Sequence, residues 1–145
     1  MIQRIQSVWL FLASMIAGAL FIFPLFTYSK ATVLPLPHTI QEFSGVRDYL
    51  PLLLMGAAIT IVPLIAIFLF GNRQRQRGVV WLSILFCIGF IALMAARYAS
   101  LGATDQVHWT VPGPVLPVLS IVCLFLALRG IRKDDKLIKS LDRLR

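Results

Sequence analysis

The apolar stretches of this sequence carry almost no polar chemistry. Across segments 8–26, 50–70, 79–96 and 115–128 there is no Asp, Glu, Lys, Arg, His, Asn or Gln, and the hydroxyl residues there are Ser14, Thr60, Ser83 and Ser120. Ionisable residues at membrane depth mark ion pathways and proton relays. Their absence argues against proton-coupled transport and against acid–base catalysis inside a membrane, while an apolar groove for a lipid or quinone stays open. Histidine is scarce too: His38 and His108 are accompanied by Glu42, Asp48 and Asp105 in the loops, in no spacing diagnostic of a metal site. The two cysteines, Cys87 and Cys123, fall inside apolar segments and read as small buried side chains. No catalytic, cofactor-binding or metal-binding residue is assigned, and the chain reads as non-enzymatic.

What is there is hydrocarbon. Of 145 residues 59% are hydrophobic and 14% charged, whereas soluble domains hold about 45–50% apolar and about 25% charged residues. A spanning helix needs about 20 mostly apolar residues, which leaves room for four spans at about 8–26, 49–70, 79–96 and 112–128, forming a transmembrane domain over 1–128 with a tail over 129–145. The first span follows Arg4 like a signal peptide, but its apolar run is longer than a cleavable core and ends in the bulky Phe23-Pro24-Leu25-Phe26, so it reads as retained. The expected fold is an all-α membrane protein: a four-transmembrane-helix bundle with both termini cytoplasmic and a basic amphipathic C-terminal helical tail.

Charge orients that arrangement. Gly71-Asn72-Arg73-Gln74-Arg75-Gln76-Arg77-Gly78 joins the second and third spans and reads as a cytoplasmic loop, because short Lys/Arg-rich connections stay inside. On the same side fall Arg4 and the tail residues Arg129, Arg132, Lys133, Lys136, Lys139, Arg143 and Arg145, against Asp134, Asp135 and Asp142. The other side balances Lys30, Arg47 and Arg97 with Glu42, Asp48 and Asp105, so the whole net charge of +8 lies on one face. Arg4, Arg73, Arg75 and Arg77 are therefore topology residues. Trp9 and Trp81 fall at the inner boundary and Tyr28, Tyr49, Tyr98 and Trp109 at the outer one, where amphipathic rings prefer to sit.

Local signals refine the threading. Pro35 and Pro37 hold an extended outer loop; Thr32-Val33-Leu34 and Val107-His108-Trp109-Thr110-Val111 are strand-like and are expected to pair as a small ribbon. Residues Ile40 to Tyr49 read as a short interfacial helix. Pro51 suits a first helical turn, whereas Pro63 frees the carbonyl of Ile59, a defect that Thr60 could help satisfy. The clean apolar core of the last span, Val115 to Leu128, covers only about 21 Å. A helix starting near Pro114 and running unbroken into the tail would remedy that.

In the tail, Leu137, Leu141 and Leu144 recur on one face while Arg132, Lys136, Lys139 and Arg143 recur on another. A basic amphipathic helix beside a span reads as a surface for anionic lipid or a partner protein. The lipid- or partner-contact candidates are Arg129, Arg132, Lys133, Lys136, Lys139, Arg143 and Arg145. Interleaved acids and a lack of aromatics make nucleic acid the weaker partner.

Both ends also resemble a known family. Met1-Ile2-Gln3-Arg4-Ile5-Gln6-Ser7, and Ala127-Leu128-Arg129-Gly130-Ile131-Arg132-Lys133-Asp134-Asp135-Lys136-Leu137 closing on Ser140-Leu141-Asp142-Arg143-Leu144-Arg145, are similar to the signatures of small four-helix inner-membrane proteins of Bacteroidota, a domain-of-unknown-function family. The resemblance implies a bacterial inner (cytoplasmic) membrane and supplies no catalytic residues. The expected function is that of a non-enzymatic accessory or scaffold protein, within a larger inner-membrane complex or against anionic headgroups. The alternative is a small passive channel or transporter, or a lipid- or quinone-binding protein, built on the Pro63 kink.

Overall fold

A computed structural model describes residues 3–31, 39–69, 71–102 and 106–142. Among them are four helices, α1 (Gln3–Ala19), α2 (Leu50–Phe68), α3 (Arg73–Gly102) and α4 (Pro112–Asp142), and three strands, β1 (Phe26–Ala31), β2 (Thr39–Ser44) and β3 (Gln106–Trp109). Helices α2, α3 and α4 are long and apolar enough to cross a membrane, and α1 adds a shorter apolar stretch, Ile5–Ala19. Helix α1 packs against α2 and α4, and α3 packs against the same two. Each helix buries a stripe at helical spacing, as in Leu10, Ala13, Ala17 and Leu20, or Val80, Ile84, Cys87, Phe90 and Met94. The opposite faces are also apolar: Val8, Met15, Leu54, Ile61, Leu85 and Val122 are all exposed. A surface this apolar, far beyond the patches that soluble monomers show, fits a membrane protein.

Proline and hydrogen bonding set where helices stop. The first apolar run continues to Phe26, yet α1 ends at Ala19. There the amides of Leu20, Phe21 and Ile22 turn to the carbonyls of Ala17, Gly18 and Ala19, three residues back. Pro24 then bars continuation, because it has no N–H and pushes Phe23 toward extended backbone. The seventeen residues of α1 still cover about 26 Å, against about 30 Å of hydrocarbon.

The arginine-rich connection is shorter than its composition indicates. Leu69 and Gly71 are turn residues and the chain is helical from Arg73 onward, so most of the expected loop is the start of α3. Asn72 makes this work. Its side-chain oxygen accepts from the Arg75 amide at 3.2 Å, capping an otherwise orphaned donor, and its carbonyl accepts the first intrahelical bond, from the Gln76 amide at 2.9 Å. Buried Gln76 reaches back to donate to the Ala66 carbonyl at 3.0 Å, satisfying a C-terminal acceptor of α2.

The opposite end adds a small antiparallel sheet, in order β2-β1-β3, to an otherwise helical chain. The expected ribbon partner at Thr32–Leu34 lies outside the described residues; β3 pairs with β1 instead, Phe26 facing Trp109 and Tyr28 facing Val107. The interfacial helix expected over residues 40–49 is replaced by β2 and a 3-10 turn at Val46–Asp48. Thr39-Ile40-Gln41-Glu42-Phe43-Ser44 has strand-forming residues and a full partner in β1, which outweighs a weak helical preference. Asp48 closes the turn by accepting from the Gly45 amide at 2.6 Å.

Between the two ends, the few polar side chains tie helices together. Ser14 donates to the Thr60 carbonyl at 2.6 Å, joining α1 to α2, and Ser120 donates to the Ala13 carbonyl at 3.1 Å, joining α4 to α1. Thr60 itself bonds back to the Gly56 carbonyl at 2.9 Å, not to that of Ile59. Such i−4 bonding bends a helix, and it falls one turn before buried Pro63.

Candidate functional site

The tail residues singled out by charge begin to converge where α4 leaves its apolar stretch. About 30 Å measured along α4 from Pro112, the thickness of a bilayer's hydrocarbon, ends near Ile131, and Arg129, Arg132 and Lys133 cluster around that point. All three are exposed. Their spacing of three and four residues stacks them on one side of the helix. Together with Trp81 of α3 and Phe125 and Leu128 of α4 they line a groove of about 540 Å³. Leu128 forms a buried floor, while Trp81 is 48% and Phe125 49% exposed, so both rings face outward beside the cations. The rings meet edge to face, with centroids 6.2 Å apart and planes at 89°, an arrangement that aromatic quadrupoles favour. The groove therefore offers an apolar wall below and guanidinium and ammonium groups above.

The other predicted residues are distributed around this end. Lys136 and Lys139 continue α4, whereas Arg143 and Arg145 lie outside the described residues. Arg4 belongs to the first turns of α1. That helix meets α4 here, where a Cβ on Gly130 would come within 3.0 Å of Gln6 Cγ, so the start of α1 and the late turns of α4 share one end of the molecule. Arg73, Arg75 and Arg77 occupy the first turns of α3; Arg75 is exposed, whereas Arg73 and Arg77 are half-buried and engage the rest of the chain. Arg77 precedes Trp81 by four residues and so shares its face.

The sheet end has a different character. Tyr98 and Trp109 stack at 4.4 Å, with Phe26 beside both, and Tyr98 donates to the Val107 carbonyl at 3.3 Å. Arg97 lies over the Tyr49 ring at 5.0 Å, a cation–π contact. The Thr110 hydroxyl lies within reach of the Pro24 carbonyl and at 2.8 Å from that of Leu25, and Gly113 packs against Leu25 so closely that a Cβ would come within 2.8 Å of its oxygen. Of the loop residues weighed as metal ligands, Asp48 caps a turn and His108 is an exposed strand residue, while His38 and Asp105 lie outside the described residues. Among the described residues no three His, Cys, Asp or Glu gather.

Residues 2–144 match the family described as Domain of unknown function (DUF4293). The chain belongs to that family. No curated protein and no solved structure matches it. Membership covers nearly the whole DUF4293 chain, including both end motifs and all four helices, so the groove and the sheet end lie within the matched region.

In this DUF4293 chain the basic half of the groove was readable from charge alone, and the apolar half was not. Trp81 reads in the sequence as an interfacial marker, and Phe125 as one apolar residue among many. The available signal was the period: Phe125, Leu128, Arg129, Arg132 and Lys133 stand at i, i+3, i+4, i+7 and i+8, which places the Phe125 ring and the cations on one face.

Proposed function

We propose that this protein is a non-enzymatic accessory or scaffold protein of a bacterial inner membrane. Its four helices would form a transmembrane bundle with both termini in the cytoplasm, and its basic end would hold anionic headgroups or the acidic surface of a partner. The observation that carries this reading is the gathering of Arg129, Arg132 and Lys133 around an apolar groove, at the end of the apolar stretch of α4. The positive-inside bias supports the orientation. Each basic residue near an anionic surface contributes about 1 kcal/mol, so the stripe on α4 and the tail beyond it are enough to hold that end at a headgroup layer.

The surroundings of Pro63 favour this reading over a channel. Pro63 is buried, and the Thr60 carbonyl three residues before it accepts from Ser14 of the neighbouring helix. This part of α2 thus serves helix packing. Deleting Leu137 to Arg145 tests the proposal: it should reduce binding to liposomes containing anionic lipid and the recovery of co-purified membrane proteins. Unchanged values of both would refute it.

A further inference from the structure

We propose that the groove between α3 and α4 is a specific site for one anionic phospholipid carrying two phosphate charges, inserted with its phosphates against Arg129, Arg132 and Lys133 and its glycerol and upper acyl chains against Trp81, Phe125 and Leu128. The proposal rests on reading the basic end as a contact face, and names what one part of that face holds.

Two observations converge. First, the site is amphipathic in the sense that a phospholipid is: a buried leucine and two half-exposed rings lie directly beside three exposed cations. A soluble anion would leave the rings bare, and a hydrocarbon chain alone would leave the cations unpaired. Second, the cations stand at residues 129, 132 and 133, within little more than one helical turn. Like charges at such spacing destabilise a helix, so the arrangement favours an occupant that neutralises more than one of them. A phosphodiester brings one charge and leaves two cations facing each other; two phosphodiesters leave one. Guanidinium also grips phosphate through two parallel hydrogen bonds, which suits Arg129 and Arg132 to one phosphate each. Basic pockets between membrane helices on the cytoplasmic side are suited to headgroups of this kind.

The test uses the full-length protein in a mild non-ionic detergent, titrated with diphosphatidylglycerol, phosphatidylglycerol or phosphatidylethanolamine, with bound lipids counted by native mass spectrometry. One diphosphatidylglycerol should bind about tenfold or more tightly than phosphatidylglycerol, and phosphatidylethanolamine should bind weakest. Replacing Arg129, Arg132 and Lys133 together by Gln should cost about fivefold per charge, on the order of a hundredfold in all. Arg47→Gln, a charge loss at the sheet end, should change nothing. Exchanging Arg129 and Arg132 for Lys keeps the charge but loses the paired hydrogen bonds, so the affinity should fall between those of the wild type and the triple Gln variant, which guards against misfolding as the cause. Trp81→Ala should also weaken binding, separating a groove from mere attraction to a charged tail. Equal affinity for the two anionic lipids would overturn the proposal, as would a triple variant that binds like wild type, or one that keeps its lipid and loses a co-purified protein instead. Micelles expose both ends of the protein, so these outcomes do not depend on membrane orientation. A failure here is thereby distinct from a failure of the tail-deletion test.

Discussion

The sheet end and the basic end of this protein solve opposite problems with similar residue types. At the sheet end Tyr98, Trp109 and Phe26 pack on one another, Arg97 is covered by Tyr49, and Thr110 and Gly113 lock the start of α4 onto Pro24 and Leu25. The aromatic groups there, and the Arg97 guanidinium through the Tyr49 ring, find partners within the molecule. At the basic end Trp81 and Phe125 meet only along an edge and stay half exposed, and Arg129, Arg132 and Lys133 gather around an open groove. Side chains that satisfy each other brace a fold, and side chains left facing outward together form a surface for something else. On that comparison the sheet end is a brace and the basic end the proposed contact site.

The comparison can be broken most readily at Gly113. Its missing Cβ lets the backbone of α4 approach the Leu25 carbonyl, and Gly113→Ala would bring a carbon within 2.8 Å of that oxygen. Neither group is a flexible side-chain end, so the elbow must shift. Overpacking of this kind costs about 1–3 kcal/mol, read as a lower Tm in detergent. Thr110→Val removes the hydroxyl that reaches the Pro24 and Leu25 carbonyls, for a loss of about 1 kcal/mol. The smallest effects should come from the polar ties between helices. Ser14→Ala and Ser120→Ala each delete one interhelical hydrogen bond, and such bonds in membrane proteins average about 0.6 kcal/mol. A double variant should add nearly linearly in a thermal melt, because the two bonds leave α1 toward different helices. A much larger joint loss would mean that the ties act as a unit.

Much of this was legible before the structure. Lengths and polarity of the apolar runs pointed to four helices, and the unbroken passage of α4 into the tail followed from the shortness of its clean apolar core. What could not be read was decided by partners distant in sequence. The end of α1 at Ala19 depends on Pro24 and on the strand that follows, which is held between β2 and β3. The helical start of α3 depends on Asn72 and Gln76, whose amides look like ordinary loop polarity until the Ala66 carbonyl is seen beside them. At the site, three of the cations were visible as charge, whereas the groove exists only because α3 brings Trp81 against Phe125 from forty-four positions away. Ser14 and Ser120 were noticed for being polar in hydrocarbon, and their meaning came from the neighbouring helices.

The division between a brace and a contact site is tested most directly by measuring Tm and diphosphatidylglycerol affinity side by side in two variants of the full-length protein. The triple Gln replacement of Arg129, Arg132 and Lys133 should lose affinity on the order of a hundredfold and keep the wild-type Tm. Thr110→Val should lower Tm and keep the affinity. If the triple variant instead melts early with its lipid affinity intact, the basic end is a structural element and the account is wrong.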